Sequence, residues 1–595
     1  MMVEYRAPLR DMYFVYDELF AASQLQQLRG YEEVTPDLVE AILEEAAKFC
    51  QQELAPLNST GEREGCRLEN GVVRTPTGFR EAYQAFVEGG WSALNCAPEY
   101  GGQGLPHAVH VLVEEMICSS NLAFSLYPGL THGAYVALER FGSQPLKDTY
   151  LPKLAAGVWS GTMCLTEPHC GTDLGLCRTK AVPQEDGSYR LTGTKIFISA
   201  GEHDLTENII HMVLARTPGA PAGTKGISLF LVPKLLPNRA GGVGMRNAVL
   251  CGGIEEKMGL HAAATCVLHF EEAQGFLVGE HNRGMSAMFS MMNKERLAVG
   301  IQGLGLAEVA YQGATRYARE RLQGRSLAGA KHPEKAADPI IVHPDVRRML
   351  LTMRAYIEGS RALAVWVAIA LDQASRQQDA KQREAANDLV ALLTPVVKAL
   401  FTDIGFETTN LGLQVFGGHG YIREHGMEQF VRDARVSQIY EGTNGVQALD
   451  LVGRKLPAHT GRYLRQFFHP VFHFIETHRG DERLSEFIAP LEKAFVRLQR
   501  ATAFIAEQGL KDPEEAAAAA SDYLRLFGLV ALAFLWARMA QLALAKQTED
   551  ETSFYAAKLA TARFFMRRLL PQTGSLLAAI LSGKQSLMAL EESAF

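Results

Sequence analysis

The sequence predicts an α+β protein with an N-terminal helical domain, a small antiparallel β domain, a C-terminal four-helix-bundle domain and an appended all-α domain. Two observations support this prediction. The chain has 595 residues, which is too long for one hydrophobic core. Apolar residues recur at helical spacing in its first and last parts, whereas its middle part has short β-rich runs between turn residues. The predicted domains are residues 1–159, 160–280, 281–456 and 457–595.

The first domain is predicted to be helical because apolar residues recur at helical spacing from about residue 35 to residue 156. The clearest helix-forming runs cover 38–54 and 109–116. Between them, the segment 98–104 contains proline and several glycines, which end helices and favour a loop. We therefore expect a helical layer that this loop interrupts.

The second domain is predicted to be a small antiparallel sheet. Runs rich in β-branched and aromatic residues cover 190–199, 209–215, 226–232 and 265–270. Gly, Pro and Asp residues separate the runs, as in turns between strands. These are the strands that we expect.

Long amphipathic helices return in the third domain, with the clearest pattern over 295–325 and an interruption near 333–344. The residues after Pro457 are rich in Ala, Leu, Phe and Arg, and they predict about four further helices. Polar breaks at 508–515 and 546–552 separate these helices. We interpret this last part as an appended helical domain.

Membrane contact is possible for the appended domain but is not favoured. Its longest apolar stretch, 526–537, is shorter than the ~20 residues that a spanning helix requires, so we interpret it as a buried helix. A later run combines basic and apolar side chains, and an ordinary packed helix is favoured there over an amphipathic helix on a membrane surface. The residues of that run are Arg563, Phe564, Phe565, Arg567, Arg568 and Leu569.

Composition excludes some classes of function. The net charge of −7 and a pI near 6.2, with positive and negative residues mixed along the chain, argue against nucleic-acid binding. Nine scattered cysteines without a C-x-x-C pair are typical of reduced thiols, and with no secretory leader we expect a cytoplasmic protein. The histidines and cysteines lack metal-ligand spacing, so no metal is predicted.

The run Tyr440-Glu441-Gly442-Thr443 is the most informative motif. It follows a glycine-rich segment at 414–421 and precedes apolar residues at helical spacing, while Thr443 and Asn444 are good N-cap residues. A helix is therefore predicted to begin just past Glu441. The amides at its start favour an anionic ligand, and the glycines allow a ligand to approach the main chain. We predict that Glu441 is a catalytic base, although a glycine-rich turn alone is more often only a turn.

A second motif lies in the predicted β domain, at 164–173, with the sequence Cys-Leu-Thr-Glu-Pro-His-Cys-Gly-Thr-Asp. With the Glu441 run, and in a helical, β, helical order, it resembles the acyl-CoA dehydrogenase family over about residues 35–456. The segments 7–12 and 424–429 and the C-terminal extension are similar to a bacterial subgroup often labelled 3-methylmercaptopropionyl-CoA dehydrogenase. That label is informative for architecture and poor for substrate.

The resemblance implies an FAD enzyme that converts a medium- or long-chain fatty acyl-CoA to the trans-2-enoyl-CoA in β-oxidation. Glu441 removes the α-proton, its backbone N–H helps to hold the thioester carbonyl, and the hydride passes to the flavin. A carboxylate in water is a weak base for this step, so the site must be dry. Electron-transfer flavoprotein and a homodimer are the implied partners.

Further site residues carry over from the family by position. Residues implied to bind FAD are Met163, Leu165, Thr166, Gly171, Thr172, Phe197, Ser199, Arg321, Gln414, Gly417, Gly418 and Thr443. Residues implied to bind substrate are Thr172, Asn293, Arg296 and Gly442. Arg321, Gln414, Gly417 and Gly418 match positions that reach the FAD of the neighbouring subunit, which makes a dimer part of the cofactor site.

The identity of the base has one alternative. In a minority of family members, the residue at the position of Glu295 is the base, and those members lack the carboxylate that corresponds to Glu441. This chain has both residues. Two carboxylates facing one small site repel, so one of them stays protonated. We favour Glu441.

Three other functions remain as alternatives. The substrate of a dehydrogenase could be 3-(methylthio)propanoyl-CoA, and an acyl-CoA oxidase would share the fold and differ in its reaction with oxygen. A DNA-binding flavoprotein of the alkylation-response type requires a basic stripe on the C-terminal domain. Acidic residues are mixed with the arginines there, which disfavours it.

Overall fold

The computed structural model describes residues 3–238, 240–549 and 552–595, without the side chains of residues 290–294 and 549. The chain folds into two compact units, each assembled from separate segments of the sequence. The first unit consists of Met1–Ala47, Pro106–Glu115 and Val299–Phe595. The second unit consists of Lys48–Leu105 and Met116–Ala298.

Helices make up most of the structure. The α-helices are α1 Leu9–Tyr13, α2 Pro36–Phe49, α3 Ala55–Glu64, α4 Phe79–Glu88, α5 His107–Ser120, α6 Leu122–Phe141, α7 Gln144–Ala155, α8 Gly284–Glu320, α9 Pro344–Arg376, α10 Ala380–Phe416, α11 Met427–Ser437, α12 Asn444–Asp450, α13 Arg462–His478, α14 Ser485–Lys511, α15 Pro513–Lys546, α16 Phe554–Phe564 and α17 Thr573–Leu581. Turns of π-helix continue several of them, at Phe14–Leu19, Cys50–Leu54, Leu451–Lys455 and Phe565–Leu569.

Strands are concentrated in the second unit. They are β1 Arg67–Glu69, β2 Val72–Arg74, β3 Trp159–Cys164, β4 Lys180–Pro183, β5 Tyr189–Ser199, β6 Asn208–Ala215, β7 Ser228–Pro233, β8 Leu235–Pro237, β9 Val243–Arg246, β10 Val249–Ile254 and β11 Thr265–Val278. The four runs predicted as strands are confirmed as β5, β6, β7 and β11. β11 continues beyond the predicted end at residue 270 because its last residues pair with β7, a long-range contact that periodicity does not show.

A seven-stranded sheet forms the core of the second unit, in the order β3, β6, β7, β11, β5, β4, with β10 also paired to β11. The pairing is antiparallel, as predicted, except that β3 runs parallel to β6. A parallel pair requires a long crossover connection, and residues 165–207 supply it. Gly161 allows β3 to approach α6, since a Cβ at this position would lie 2.4 Å from the Cβ of Ala134.

Long helices form the first unit, and two of them touch through glycines. A Cβ on Gly303 of α8 would lie 2.4 Å from the carbonyl oxygen of Phe401 in α10, and a Cβ on Gly405 would lie 2.7 Å from the Cα of Gly303. Larger side chains at either position would push the two helices apart.

α8 ends at Glu320, before the predicted residue 325, because the chain then turns to pair Leu322 with Pro339.

The C-terminal extension packs onto the helices that precede it. In α15, the indole N–H of Trp536 donates to the Ala355 carbonyl of α9 at 3.0 Å, and Gly528 lies against Leu400 of α10.

The helices 380–421 and 513–546 are long and apolar enough to cross a membrane by length and composition. However, 78% and 83% of the most apolar 18-residue stretch of each helix is buried inside the protein. Residues 526–537 all lie in the buried part of α15, which confirms the predicted buried helix.

The basic run at the end of α16 also packs as an ordinary helix. Phe565 and Leu569 are buried, so the apolar face that would enter a membrane surface contacts the protein interior instead. Arg563 and Arg567 form ion pairs with Glu486 of α14 at 2.9 and 3.3 Å. These contacts favour the packed-helix interpretation.

Buried charges join the N-terminal segment, the central helices and the extension in the first unit. Arg361 of α9, which is 1% exposed, donates to Asp11, to Glu115 at 3.0 Å and to Glu308 at 2.6 Å. Lys558 of α16 binds Asp11 as well. We call the complete set the Arg361 network: Asp11, Glu115, Glu308, Arg354, Glu358, Arg361 and Lys558.

Burial and attraction compete at the carboxyl groups of the Arg361 network. Burial raises the pKa of Glu115 to about 7, against the opposing attraction of Arg361. Burial also favours the protonated form of Asp11, but Lys558 and Arg361 outweigh it and lower the pKa of Asp11. Each buried charge in this network is therefore stabilised by its oppositely charged neighbours, and removal of one group would leave its partners buried without compensation.

Candidate active site

Glu441 lies in the turn between α11 and α12 and has a left-handed backbone conformation. Its φ is +54°, and Gly442 follows with a φ of +85°. For a residue with a Cβ, this conformation costs on the order of 1 kcal/mol, and residues of this kind cluster at functional sites. Thr443 is the N-cap of α12, since its Oγ1 accepts a hydrogen bond from the Val446 N–H at 3.3 Å. The predicted helix start just past Glu441 is confirmed.

Two side chains hold the carbonyl oxygens of this turn. The Nζ of Lys398 in α10 donates to the Gly442 carbonyl at 2.8 Å and to Oδ1 of Asn444 at 2.9 Å. The Nε2 of Gln447 in α12 donates to the carbonyls of Glu441 and Gly442 at 3.1 and 3.3 Å. Lys398 is 0% exposed. The conformation of the turn is thus set by residues of two helices.

Residues on both sides of the turn are anchored to neighbouring helices. The hydroxyl of Tyr440 donates to Oε1 of Gln302 in α8. The amide of Asn444 donates to Oδ1 of Asp403 at 2.7 Å and to Oγ1 of Thr402 at 3.0 Å. Glu441 is half-buried between these anchors.

The glycine-rich segment forms an exposed turn at the end of α10. Gln414, Gly417 and Gly418 are exposed, and no heavy atom lies within 4 Å of the position that a Cβ would take on either glycine. Gly417 has a φ of +60°, which glycine adopts without strain. The main chain at these two glycines is therefore not covered by neighbouring atoms of the described residues.

Arg321 is exposed just past the end of α8. Its N–H donates to the Tyr317 carbonyl at 2.8 Å, and its carbonyl accepts from Ile340 at 2.8 Å. The ring of Tyr317 stacks on Phe416 with 4.3 Å between ring centroids, and its hydroxyl hydrogen-bonds Nδ1 of His419 at 2.9 Å. These contacts join the end of α8 to the glycine-rich turn.

In the second unit, Glu167 organises the segment that contains the predicted flavin contacts. Its carboxylate accepts from Nζ of Lys195 at 2.8 Å, from Oγ1 of Thr179 at 2.6 Å and from the backbone N–H of Arg178 at 2.8 Å. Burial alone would raise the pKa of Glu167, but Lys195 and these hydrogen bonds outweigh it and lower the pKa to about 2. Lys195 also donates to the Leu165 carbonyl at 2.9 Å, so it fixes the backbone of the segment directly.

The predicted flavin contacts in this segment differ in exposure. Met163 is buried near the end of β3, Leu165 and Thr166 are half-buried, and Gly171 and Thr172 are exposed in the following loop. The segment is tied to β5, because the Thr166 carbonyl accepts from the Ile196 N–H at 2.9 Å.

Phe197 is an exposed aromatic residue with a strained backbone. It is 61% exposed and has a φ of +58°, a conformation that is rare for a bulky side chain. The pairing of β5 with β11 shifts register beside it, between the pairs Ile198–Cys266 and Lys195–Leu268. Such bulges re-aim side chains next to functional sites. Ser199 is half-buried at the end of the same strand.

The remaining predicted residues lie in α8. Arg296 is buried, and so is Glu295, the alternative base. Asn293 belongs to the same helix, but its side chain lies outside the described residues. No group of three or more His, Cys, Asp or Glu side chains that could hold a metal ion occurs in the part of the chain that the structure describes.

Sequence reasoning missed the two buried lysines that hold backbone carbonyls beside predicted site residues. Lys195 binds next to Thr166, and Lys398 binds next to Glu441. Lys195 follows the run Thr192-Gly193-Thr194, which does not mark it as buried. A signal was available for Lys398, which is a lone charge within an apolar run, because lysine is almost never fully buried without a partner. The identity of that partner depends on the fold.

We expect Glu167→Gln to lower the free energy of unfolding of the second unit by roughly 2–3 kcal/mol at pH 7, because Lys195 loses its charged acceptor. The pKa of Glu167 is about 2 in the folded state, below its ordinary value of 4.5. Its stabilising effect is therefore complete above pH 4.5 and is lost as the pH falls through 2. Urea unfolding of both proteins at several pH values measures this difference, which should shrink below pH 4.5. A difference that grows in acid would contradict it.

Four family models match the chain. Their descriptions are acyl-CoA dehydrogenase, N-terminal domain, at 36–158; middle domain, at 162–273; C-terminal domain, at 282–456; and acetyl-CoA dehydrogenase C-terminal like, at 467–591. The fourth match covers the extension.

Curated relatives align over nearly the full chain. A 3-methylmercaptopropionyl-CoA dehydrogenase of Ruegeria pomeroyi is 45% identical, over 95% of this chain and 96% of the relative. The broad-specificity linear acyl-CoA dehydrogenase FadE5 of Mycobacterium tuberculosis is 34% identical, over 100% of both chains.

Solved structures show the same fold. Caenorhabditis elegans ACDH-11 in complex with C11-CoA has a TM-score of 0.77 at 20% identity, covering 95% of this chain and 92% of that chain. A Bacillus anthracis acyl-CoA dehydrogenase complexed with FAD has a TM-score of 0.74 at 20% identity, covering 96% and 91%. The predicted α+β fold class, with its helical extension, is confirmed.

Proposed function

Because the chain belongs to the acyl-CoA dehydrogenase family, we propose that it oxidises a medium- or long-chain fatty acyl-CoA to the trans-2-enoyl-CoA in β-oxidation. The protein is an FAD-dependent oxidoreductase of this family. The observation that carries the proposal is the strained Glu441 turn, whose two carbonyl oxygens accept hydrogen bonds from Lys398 and Gln447. A carboxylate on a turn held in this way is preorganised to act as a base.

In each unit taken by itself, residues proposed to bind FAD have chemistry that suits one part of the cofactor, its planar ring system or its diphosphate. Phe197 presents an exposed aromatic ring, which suits stacking against a flat ligand. Gly417 and Gly418 leave their main chain open, and Arg321 offers an exposed guanidinium to phosphate oxygens. FAD, when bound, supplies the acceptor for the hydride that leaves the β-carbon of the substrate.

Glu441 performs the proton transfer in this proposal. Its carboxylate takes the proton from the α-carbon, and the charge that develops on the thioester oxygen requires hydrogen-bond donors. The backbone N–H of Glu441 is one such donor. We propose Thr172, Asn293, Arg296 and Gly442 as further substrate contacts. Exclusion of water by the acyl chain strengthens the carboxylate as a base.

Anaerobic reduction of the purified enzyme by straight-chain acyl-CoAs tests the proposed reaction. We expect the flavin absorbance to bleach with C8 to C16 substrates, and electron-transfer flavoprotein to restore it. Air is then admitted to the reduced enzyme in a separate sample. Slow reoxidation supports the dehydrogenase, whereas rapid release of hydrogen peroxide would establish an oxidase.

A second candidate substrate is 3-(methylthio)propanoyl-CoA. The relative that is 45% identical over nearly the full chain carries the corresponding name. A comparison of kcat/KM between this thioester and straight-chain acyl-CoAs of increasing length distinguishes the two candidates. A value at least about 10-fold higher for the methylthio compound would replace the fatty acyl-CoA proposal.

We further propose a cytoplasmic homodimer that passes electrons to electron-transfer flavoprotein. The exposed positions of Arg321, Gln414, Gly417 and Gly418 support a dimer, since a second subunit can reach them. Sedimentation of the FAD-loaded protein tests the subunit number, and a monomer that retains FAD and full activity would contradict it.

A further inference from the structure

We propose that Lys398 and Gln447 are positioning residues for the base: they bind the carbonyl oxygens of the Glu441–Gly442 turn and keep Glu441 in the conformation that presents its carboxylate to the substrate. The identity of Glu441 as the base rests on the proposed function. The conformational part of the inference rests on the structure of the first unit alone.

Peptide planarity explains how side chains on one side of the turn control the groups on the other side. In a trans peptide, the carbonyl of one residue and the N–H of the next point in opposite directions. Hydrogen bonds to the carbonyls of Glu441 and Gly442 therefore direct the N–H groups of Gly442 and Thr443 away from Lys398 and Gln447. The two peptide planes cannot rotate without breaking these bonds, so the bonds restrict the ψ of Glu441 and, with it, the direction of its Cα–Cβ bond.

Burial makes this arrangement obligatory for Lys398. An ammonium group that is 0% exposed must be met by acceptors, and the Gly442 carbonyl and Oδ1 of Asn444 lie 2.8 and 2.9 Å from it. The orientation of the Asn444 amide is itself set, because its Nδ2 donates to Asp403 and Thr402. Oδ1 of Asn444 is thereby directed at Lys398.

Left-handed residues with a Cβ persist only where their surroundings over-determine the conformation. At Glu441 the surroundings include one hydrogen bond to its own carbonyl and two to the next carbonyl. Loss of these bonds allows the turn to relax toward a common conformation. The carboxylate then leaves its working position although every atom of Glu441 is still present.

Two substitutions test the proposal in the FAD-loaded, full-length protein. Lys398→Met keeps an unbranched side chain that is one heavy atom shorter and removes the ammonium donors. Gln447→Leu removes the amide donors without a change of charge and leaves a shorter, apolar side chain. We expect each to lower kcat by roughly 100-fold, as a displacement of about 1 Å does, with FAD content retained and KM within about threefold of wild type. A crystal structure of Gln447→Leu should show the φ of Glu441 moved out of the left-handed region.

Lys558→Met is the matched control. Lys558 is also a fully buried lysine of the first unit, but it binds carboxylates of the Arg361 network. We expect this variant to unfold at lower temperature while its kcat stays at the wild-type value. If Lys398→Met fails to fold, Gln447→Leu carries the test alone.

The double variant shows whether both residues act on one turn. Lys398 and Gln447 bind the same Gly442 carbonyl, so the kcat of the double variant should depart at least threefold from the product of the single effects. Independent effects in the double variant would overturn the inference. So would an unchanged kcat in the single variants, or a lowered kcat in a variant whose Glu441 still has a φ near +54°. Wild-type protein that oxidises no acyl-CoA would instead reject the proposed function, and the crystal structure would still decide the conformational part.

Discussion

We expect Glu441→Gln to lose at least about 1,000-fold in the rate of flavin reduction by acyl-CoA and to remain a yellow, FAD-loaded protein. This is the size expected when a positioned base is removed. The amide has the shape of the carboxylate and cannot accept the α-proton at neutral pH. Lys398 and Gln447 donate to backbone carbonyl oxygens of the turn, and the substitution leaves these acceptors in place. Anaerobic stopped-flow measurement of the flavin absorbance reports the rate without a contribution from the electron acceptor.

Glu295→Gln is the comparison that separates the two candidate bases. Glu295 is buried in α8, and we expect its substitution to reduce flavin reduction far less than Glu441→Gln does. FAD content and melting temperature are measured for both variants, so that a loss of cofactor is not mistaken for a loss of the base. The reverse order of effects would assign the proton transfer to Glu295.

Arg361→Met is expected to lower the free energy of unfolding of the first unit by roughly 3–5 kcal/mol, because it leaves buried carboxylates without their cation. Glu115, Asp11 and Glu308 all accept hydrogen bonds from this guanidinium. These residues belong to α5, α1 and α8, so several parts of the unit lose a shared contact. Chemical denaturation followed by tryptophan fluorescence measures the change, with Trp536 of α15 as a reporter in the same unit.

Arg479→Met provides the control for this prediction. Arg479 forms ion pairs with Glu476 and Glu492 at the surface, where its side chain is 53% exposed. Exposed pairs contribute little, so we expect a change below about 1 kcal/mol. Equal changes in the free energy of unfolding for the two substitutions would show that burial does not increase the contribution of the Arg361 network to stability.

Local patterns predicted the secondary structure well where packing and periodicity agree. The strands β5, β6 and β7 and the start of α12 appear close to their predicted positions, since alternation and capping residues are local signals. The ends of α8 and β11 differ from the prediction because distant residues decide them. Leu322 pairs with Pro339, and Phe276 pairs with Leu231. The parallel pairing of β3 with β6 likewise depends on a crossover that no single segment specifies.

In the candidate site too, some features were visible in the sequence and others depend on contacts that form only in the folded protein. The motifs around Glu441 and Thr166 were visible as short runs of residues, because their chemistry lies in side-chain identity and spacing. The strain at Glu441 and Phe197 was not visible, because φ at these positions is set by contacts with other helices and strands. Lys195 and Lys398 stand far along the chain from the carbonyls that they bind.

By itself, the sequence predicted the order of helical and β segments and Glu441 as the candidate base, and the resemblance of its two motifs indicated the family. These depend on residue type, spacing and hydrophobic period, which are properties of the chain before it folds. Tertiary structure alone decided that buried lysines hold the backbone beside two site residues and that the extension shares a charge network with the N-terminal segment. The physical reason is that burial makes an ammonium or guanidinium dependent on whichever acceptors the fold brings to it.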